Sequence, residues 1–173
     1  SRWLNSIVVE LNLCPFAAPV LKDSTLRIAV SHATDIEQLI ADMGKEIEHL
    51  GESDESVVST TLIAVSELLT DFSEYNQFLD VADQILEELD YVGVLQIASF
   101  HPSYQFMGTD IDDLENYTNR SPYPLFHLIR ESDVAAAVDG PVDTLEIPAR
   151  NKATLEALGL DEMKSRLKHC LIA

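Results

Sequence analysis

Basic residues are scarce and unevenly placed: 11 Lys and Arg stand against 30 Asp and Glu, a net charge of −19. From Glu46 to Asn119 there are 17 acidic residues and no Lys or Arg. Nothing in such a chain forms the basic stripe that a phosphate backbone needs, so nucleic acid is not an expected partner. The field repels polyanions at long range, and an anionic ligand would need local, well-aimed donors. Most of the acids read as solvated surface. Cysteine is scarcer still, with only Cys14 and Cys170 near opposite ends. That is neither a disulfide framework nor a CxxC pair, and reduced thiols are expected. No apolar run approaches the ~20 residues that span a bilayer, so no membrane insertion is expected. Ser1-Arg2-Trp3-Leu4-Asn5 lacks the succession of a signal peptide, and a cytoplasmic location follows as an expectation. GxGxxG, Walker, GxSxG and HExxH motifs are missing, which leaves the common cofactor classes without their usual support, and no cofactor or metal is expected.

What is present fits one globular unit. The chain has 173 residues, 46% of them apolar, enough for one core without a staple. Leu26–Ser31, Thr61–Ser66 and Val94–Ser99 are short apolar runs rich in β-branched residues, as strands buried on both faces should be. Ile28, Ile63 and Ile97 are spaced by 35 and then 34 residues, and the first two open the same peptide, Ile-Ala-Val-Ser, soon followed by Thr-Asp. That regularity suggests tandem strand–helix units. Between the strands, Ile36, Leu39, Ile40, Met43, Ile47 and Leu50 keep helical spacing, with Asp35 as N-cap and Gly51 as stop. A second stripe comprises Tyr75, Phe78, Leu79, Ala82, Ile85, Leu86 and Leu89. An N-terminal helix through Trp3 to Leu11 should end at Pro15. Ser121-Pro122-Tyr123-Pro124 reads as an N-cap with Pro at N1, opening a helix through Leu125 to Ile129. Two more helices, near Pro148–Leu158 and Asp161–Leu171, close the chain. The expected fold is a single α/β domain over residues 1–173, with a small, mainly parallel sheet of about three strands, flanking helices and a helical C-terminal part.

In open parallel sheets, ligands bind beyond the carboxyl ends of the strands. Ser31-His32, Ser66-Glu67 and Ser99-Phe100-His101-Pro102 stand at those ends. His101 is stiffened by Pro102 and opens the polar-aromatic peptide Ser103 to Thr109, which includes Tyr104, Gln105 and Thr109. Its imidazole can serve as general acid or base, or simply bond the loop to the core. Arg120, between Asn119 and Ser121, carries a planar fork suited to a carboxylate or phosphate at a helix entrance, or to one of the nearby acids. Asp110, Asp112, Asp113 and Glu115 lack the spacing of a calcium loop. A short helix capped by Thr109 explains them better. Cys14, just past the expected helix end, is a handicapped nucleophile and more naturally a buried structural cysteine, unless folding sets it against His101.

Beyond these chemical readings, the peptides Leu11-Asn12-Leu13-Cys14-Pro15-Phe16-Ala17, Gln96 to Pro102, Tyr104-Gln105-Phe106, Gly108-Thr109 and Asn116 to Pro124, with Arg150-Asn151 as a weaker element, carry a resemblance to the bacterial family named domain of unknown function 1415. It extends over essentially the whole length; Met107 stands where a smaller residue is expected. The resemblance implies a small bacterial protein of one domain and brings no activity, ligand or catalytic residue with it.

Two functions remain open. One is a small-molecule enzyme or binding protein in which Arg120, Asn119, Ser121, Tyr104, Gln105 and Thr109 hold a small anion while His101, with Cys14 as a further candidate, acts on it. The other is a non-catalytic structural or protein-interaction module in which Tyr104, Phe106, Tyr117 and Tyr123 pack the long loop or present a contact surface. The oligomeric state is not fixed by either.

Overall fold

The computed structural model describes residues 2–140 and 143–171; residues 1, 172 and 173 of the expected 1–173 domain, and the pair 141–142, lie outside them. The three expected strands form: β1 Leu26–Ser31, β2 Thr60–Val65 and β3 Leu95–Phe100. The first two lead into long helices, α2 Ile36–Glu52 and α3 Phe72–Glu88. Each helix begins at an aspartate. Asp35 accepts from the Gln38 amide and Asp71 from those of Ser73 and Glu74, satisfying donors that the first turn leaves orphaned. Gly51 is not the stop, since α2 runs one residue further. A Cβ at Gly51 would overlap the Tyr91 ring, so the glycine allows a close approach instead. The carbonyls of Leu50, Ser53 and Val58 at that end are gathered by one guanidinium nitrogen of Arg130, at 2.7, 2.9 and 3.1 Å.

The segment after Pro124 corrects the expectation. Leu125–Arg130 is a strand, β4, not a helix. The sheet is therefore four-stranded and mixed, in the order β1-β2-β4-β3, with β1 and β2 parallel and β4 antiparallel to both of its neighbours. The reason is local. A residue before proline is driven out of the α region, so Ser121 and Tyr123, each followed by proline, cannot make a helical first turn. Ser121 Oγ instead donates to the Tyr123 carbonyl at 2.6 Å, closing a turn. β4 is apolar on both faces because it is central: Phe126 and Leu128 enter one core and Leu125 the other.

The first core lies between the sheet and α2 and α3, and includes Met43, Ile47, Ile63, Tyr75, Phe78, Phe126 and Leu128. The second covers part of the opposite face. There Trp3, Leu4, Ile7 and Leu13 meet Leu62, Tyr117, Leu125, Leu155 and Met163. Apart from Leu62 of β2 and Leu125 of β4, they come from the N-terminal stretch with its wide-turned helical segment, Leu4–Val9, from the loops, and from α5 Ile147–Leu158 and α6 Leu160–Cys170, which lie close to the two expected C-terminal helices. The N-terminal helix ends at Val9, well before Pro15, and Asn12 beyond it takes a positive φ of 51°. A short helix not anticipated from the pattern, α1 Ala17–Lys22, follows Pro15, and another, α4 Glu131–Asp139, follows β4. Neither holds a fully buried residue, so neither shows a clear apolar stripe.

Candidate functional site

β3 and β4 are neighbours, yet the chain between them runs from His101 to Pro124. A connection this long without a helix or strand of its own length needs partners for its backbone groups. The polar side chains singled out above supply them. Asn116, fully buried, accepts at Oδ1 from the Phe106 amide at 3.0 Å and lies 2.9 Å from Thr109 Oγ1, while its Nδ2 donates to the Asp110 carbonyl. Asn119 Nδ2 donates to Ser99 O, and Gln105 Nε2 donates to Thr109 O at 2.6 Å. Thr109 does not cap a helix, as expected of it; its hydroxyl donates to Phe106 O at 2.8 Å. Asp113 instead accepts from the Asp110 amide, ahead of a short 3₁₀ turn at Leu114–Thr118.

Arg120 is at the centre of this loop and only 7% exposed. Its Nε donates to Tyr104 O at 3.2 Å and its Nη2 to Ile111 O at 2.6 Å. The guanidinium lies 4.4 Å from the centre of the Tyr117 ring, within cation–π range, and Trp3 Nε1 donates to the Arg120 carbonyl. The planar fork read as an anion receptor thus receives two backbone carbonyls. The helix N-terminus expected at Ser121 does not exist, and its amide donors and dipole go with it.

His101 is fully buried. Its Nδ1 accepts from the Ser103 amide at 3.0 Å, so the ring proton is on Nε2, which donates to Leu69 O at 3.0 Å. Burial lowers its pKa, against the smaller opposing pull of the Leu69 carbonyl and Asp71. The imidazole is a neutral pin between the loop and the entrance of α3, and the residue it holds, Leu69, is itself in the left-handed region at φ 57°. The ring packs on Tyr75 and Phe72, with centroids 5.0 and 5.3 Å away. Cys14 is not brought against it, and packs in the second core. The thiol lies ahead of α1 rather than only behind a helix. Burial pushes its pKa up, outweighing the opposing influence of the Phe16 and Ala17 amides and of Arg150. The Leu11–Phe16 peptide is tied elsewhere too: Asn151 Nδ2 donates to Leu13 O at 2.7 Å and Arg150 Nη2 to Asn12 O.

Two residues complete the brace, Tyr75, which the sequence pattern marks only as part of a helical stripe, and His127, which it does not mark. Tyr75 of α3 donates to Leu125 O at 2.7 Å and accepts from the Phe100 amide, joining β3 to β4 where the loop leaves the sheet. His127, in the middle of β4, has its Nε2 2.8 Å from Thr60 Oγ1, which itself donates to Leu128 O. Burial pushes the His127 pKa down to about 4. Its place inside an apolar run was the available signal.

With its polar side chains turned inward, the loop turns apolar ones outward. Met107 is 102% exposed, Ile111 63% and Phe106 37%. Phe106 rests edge-on against Tyr104, centroids 5.0 Å apart. Asp110 and Asp113 are exposed on either side of Ile111, while Asp112 and Glu115 pair with Lys164 and Lys152 at 2.8 and 3.4 Å. A hollow of about 310 Å³ opens next to these pairs, lined by charged residues and by Leu114 and Leu160. No described helix is long and apolar enough to cross a membrane.

The mixed four-stranded sheet, its two strand–helix units and its braced loop define an α/β protein. The particular family is the one described as "Protein of unknown function (DUF1415)": its model matches residues 1–165, and the chain belongs to it. Nothing matched among curated proteins or solved structures.

Proposed function

We propose that this chain is a non-catalytic interaction module, with the outer side of the His101–Pro124 loop as its contact surface. The observation that carries the reading is Met107, wholly exposed between Phe106 and Ile111 in sequence, both of them exposed too, on a loop many of whose polar side chains bond its own backbone. Holding large apolar side chains in water on a braced loop has no benefit to folding, and exposed apolar patches of this kind mark contact sites. Met suits such a surface because its unbranched, polarisable chain adapts to a partner. Asp110 and Asp113, exposed on either side of Ile111 in sequence, favour as partner a protein segment with apolar side chains flanked by Lys or Arg. The enzyme reading would require an anion to displace the Tyr104 and Ile111 carbonyls from Arg120, and His101 to give up a backbone partner.

A peptide-display selection tests this, with the wild type as bait and Met107→Glu/Ile111→Glu as counter-bait. Enrichment of basic, apolar peptides on the wild type alone supports the module. The reading fails if no peptide is enriched, or if the double variant enriches the same peptides. It also fails if a phosphorylated or carboxylated metabolite raises the Tm of the wild type but not of Arg120→Lys.

A further inference from the structure

β1 is the outermost strand on its side of the sheet. The amides of Ser59 and Ser66 donate to the carbonyls of Thr25 and Ser31, so the odd-numbered residues of β1 bond towards β2. Because backbone groups alternate along a parallel strand, the N–H and C=O of Leu26, Ile28 and Val30 point outward, beyond the edge. The side chains of Ile28 and Val30 share the sheet face opposite α2, and the second core stops short of them. It takes in Leu26, Leu62 and Ala64 but leaves Ile28 46% and Val30 53% exposed. An open edge with branched apolar side chains beside it is a template for another strand.

We infer that β1 pairs antiparallel with β1 of a second copy of this chain, about a two-fold axis through Ala29, making one continuous eight-stranded sheet. The register selects the occupant. With Ala29 opposite Ala29, Ile28 of each copy lies opposite Val30 of the other. Residues opposite one another in a sheet project to the same face, so the two exposed side chains of each copy cover those of the other. The backbone agrees with the same register. Ile28 and Val30 both have outward N–H and C=O groups, as members of a hydrogen-bonded pair must, whereas Ala29 faces β2 and falls at the non-hydrogen-bonded position. A register one residue away would set an outward backbone against an inward one and fail.

Charge also favours a second copy here. From Lys22 to Lys45 the chain carries Lys22, Arg27 and Lys45 against Asp23, Asp35, Glu37 and Asp42, close to balance in a molecule of net charge −19. Arg27 is further neutralised by Glu46, with Nε 2.6 Å from Oε2. Two copies approaching along β1 therefore avoid the strongly acidic surface of the later segments, whose like charges repel. This dimer is independent of the contact loop proposed above, which lies at the other side of the sheet order.

Sedimentation velocity over a concentration series tests it. The wild type should sediment as a dimer of the 19.2 kDa chain and Ile28→Lys/Val30→Lys as a monomer, with an unchanged circular dichroism spectrum. Ala29→Cys reads the register independently of that variant. Cα atoms at a non-hydrogen-bonded pair are about 4.5 Å apart, within disulfide reach, so mild oxidation should give a linked dimer beyond any seen in the wild type. A wild type that remains monomeric throughout overturns the inference. So does a dimer retained by the lysine variant, or an Ala29→Cys protein that forms no link while dimeric.

Discussion

The stretches that follow β2 and β3 leave equivalent strand ends and diverge. After β2, six residues lead from Ser66 to the Asp71 cap, and the 17-residue helix α3 carries the chain away. After β3, the chain spends His101 to Pro124 in a loop and returns as the antiparallel neighbour β4. In the first case the helix satisfies its own backbone, and one aspartate is enough at its start. In the second there is no ladder, and side chains do that work one carbonyl at a time. The lesson is that the run of mixed polar and aromatic residues between Ser99 and Pro124 marks a loop that must be held, whether or not it also binds anything.

If that contrast is correct, damage should be greatest in the loop. Arg120→Ala removes two charge-assisted bonds from a buried site and leaves the Tyr104 and Ile111 carbonyls without their donor. A loss of about 3 kcal/mol is expected in urea denaturation, and a loss below about 1 kcal/mol would show that the clamp is not what holds the loop. Arg120→Lys should recover less than half, since an ammonium cannot span both carbonyls as a planar fork does.

Acidification should act next. His127 titrates near 6.5 when unfolded and about 4 when folded. Between those values the unfolded chain binds more protons, so stability falls as pH falls. The contribution is fully present above about pH 6.5, and roughly 2 to 3 kcal/mol of it is gone by pH 4.5. His101, also lowered by burial, acts in the same direction. His127→Gln should flatten the pH dependence over this window; an unchanged slope would remove His127 as its source. The smallest effect belongs to the helical units: Asp35→Ala and Asp71→Ala should each cost about 1 kcal/mol and add within about 0.5 kcal/mol when combined. A cap loss as large as that of Arg120→Ala would abolish the contrast.

The two strand–helix units were legible because local rules settle them: period-3.6 stripes, an aspartate cap and a short β-branched run point to one answer. β4 was not, because Leu-Phe-His-Leu-Ile-Arg satisfies helical spacing as well as a two-faced central strand. Its burial on both sides depends on β2 and β3, which are remote in sequence. The prolines at 122 and 124 were the local clue, since each denies the α region to the residue before it. A sequence cannot show that the acceptors of Arg120 are its own neighbours' carbonyls. Nor could it place Cys14 ahead of α1, because the six-residue α1 has no stripe to announce it.

The position of β4 also has a consequence in time. The strand at the middle of the sheet is the last of the four to be synthesised. Until Arg130 has left the ribosome, one side of β2 lacks its partner and β3 has no strand to join, while β1, β2 and the two helices between and after them can already close on one another. Pairings between residues so far apart form slowly, and an open strand edge is exposed to other chains meanwhile. The acidic stretch from Glu46 to Asn119 coincides with that interval, so like-charge repulsion between nascent chains is strongest while the slot is empty.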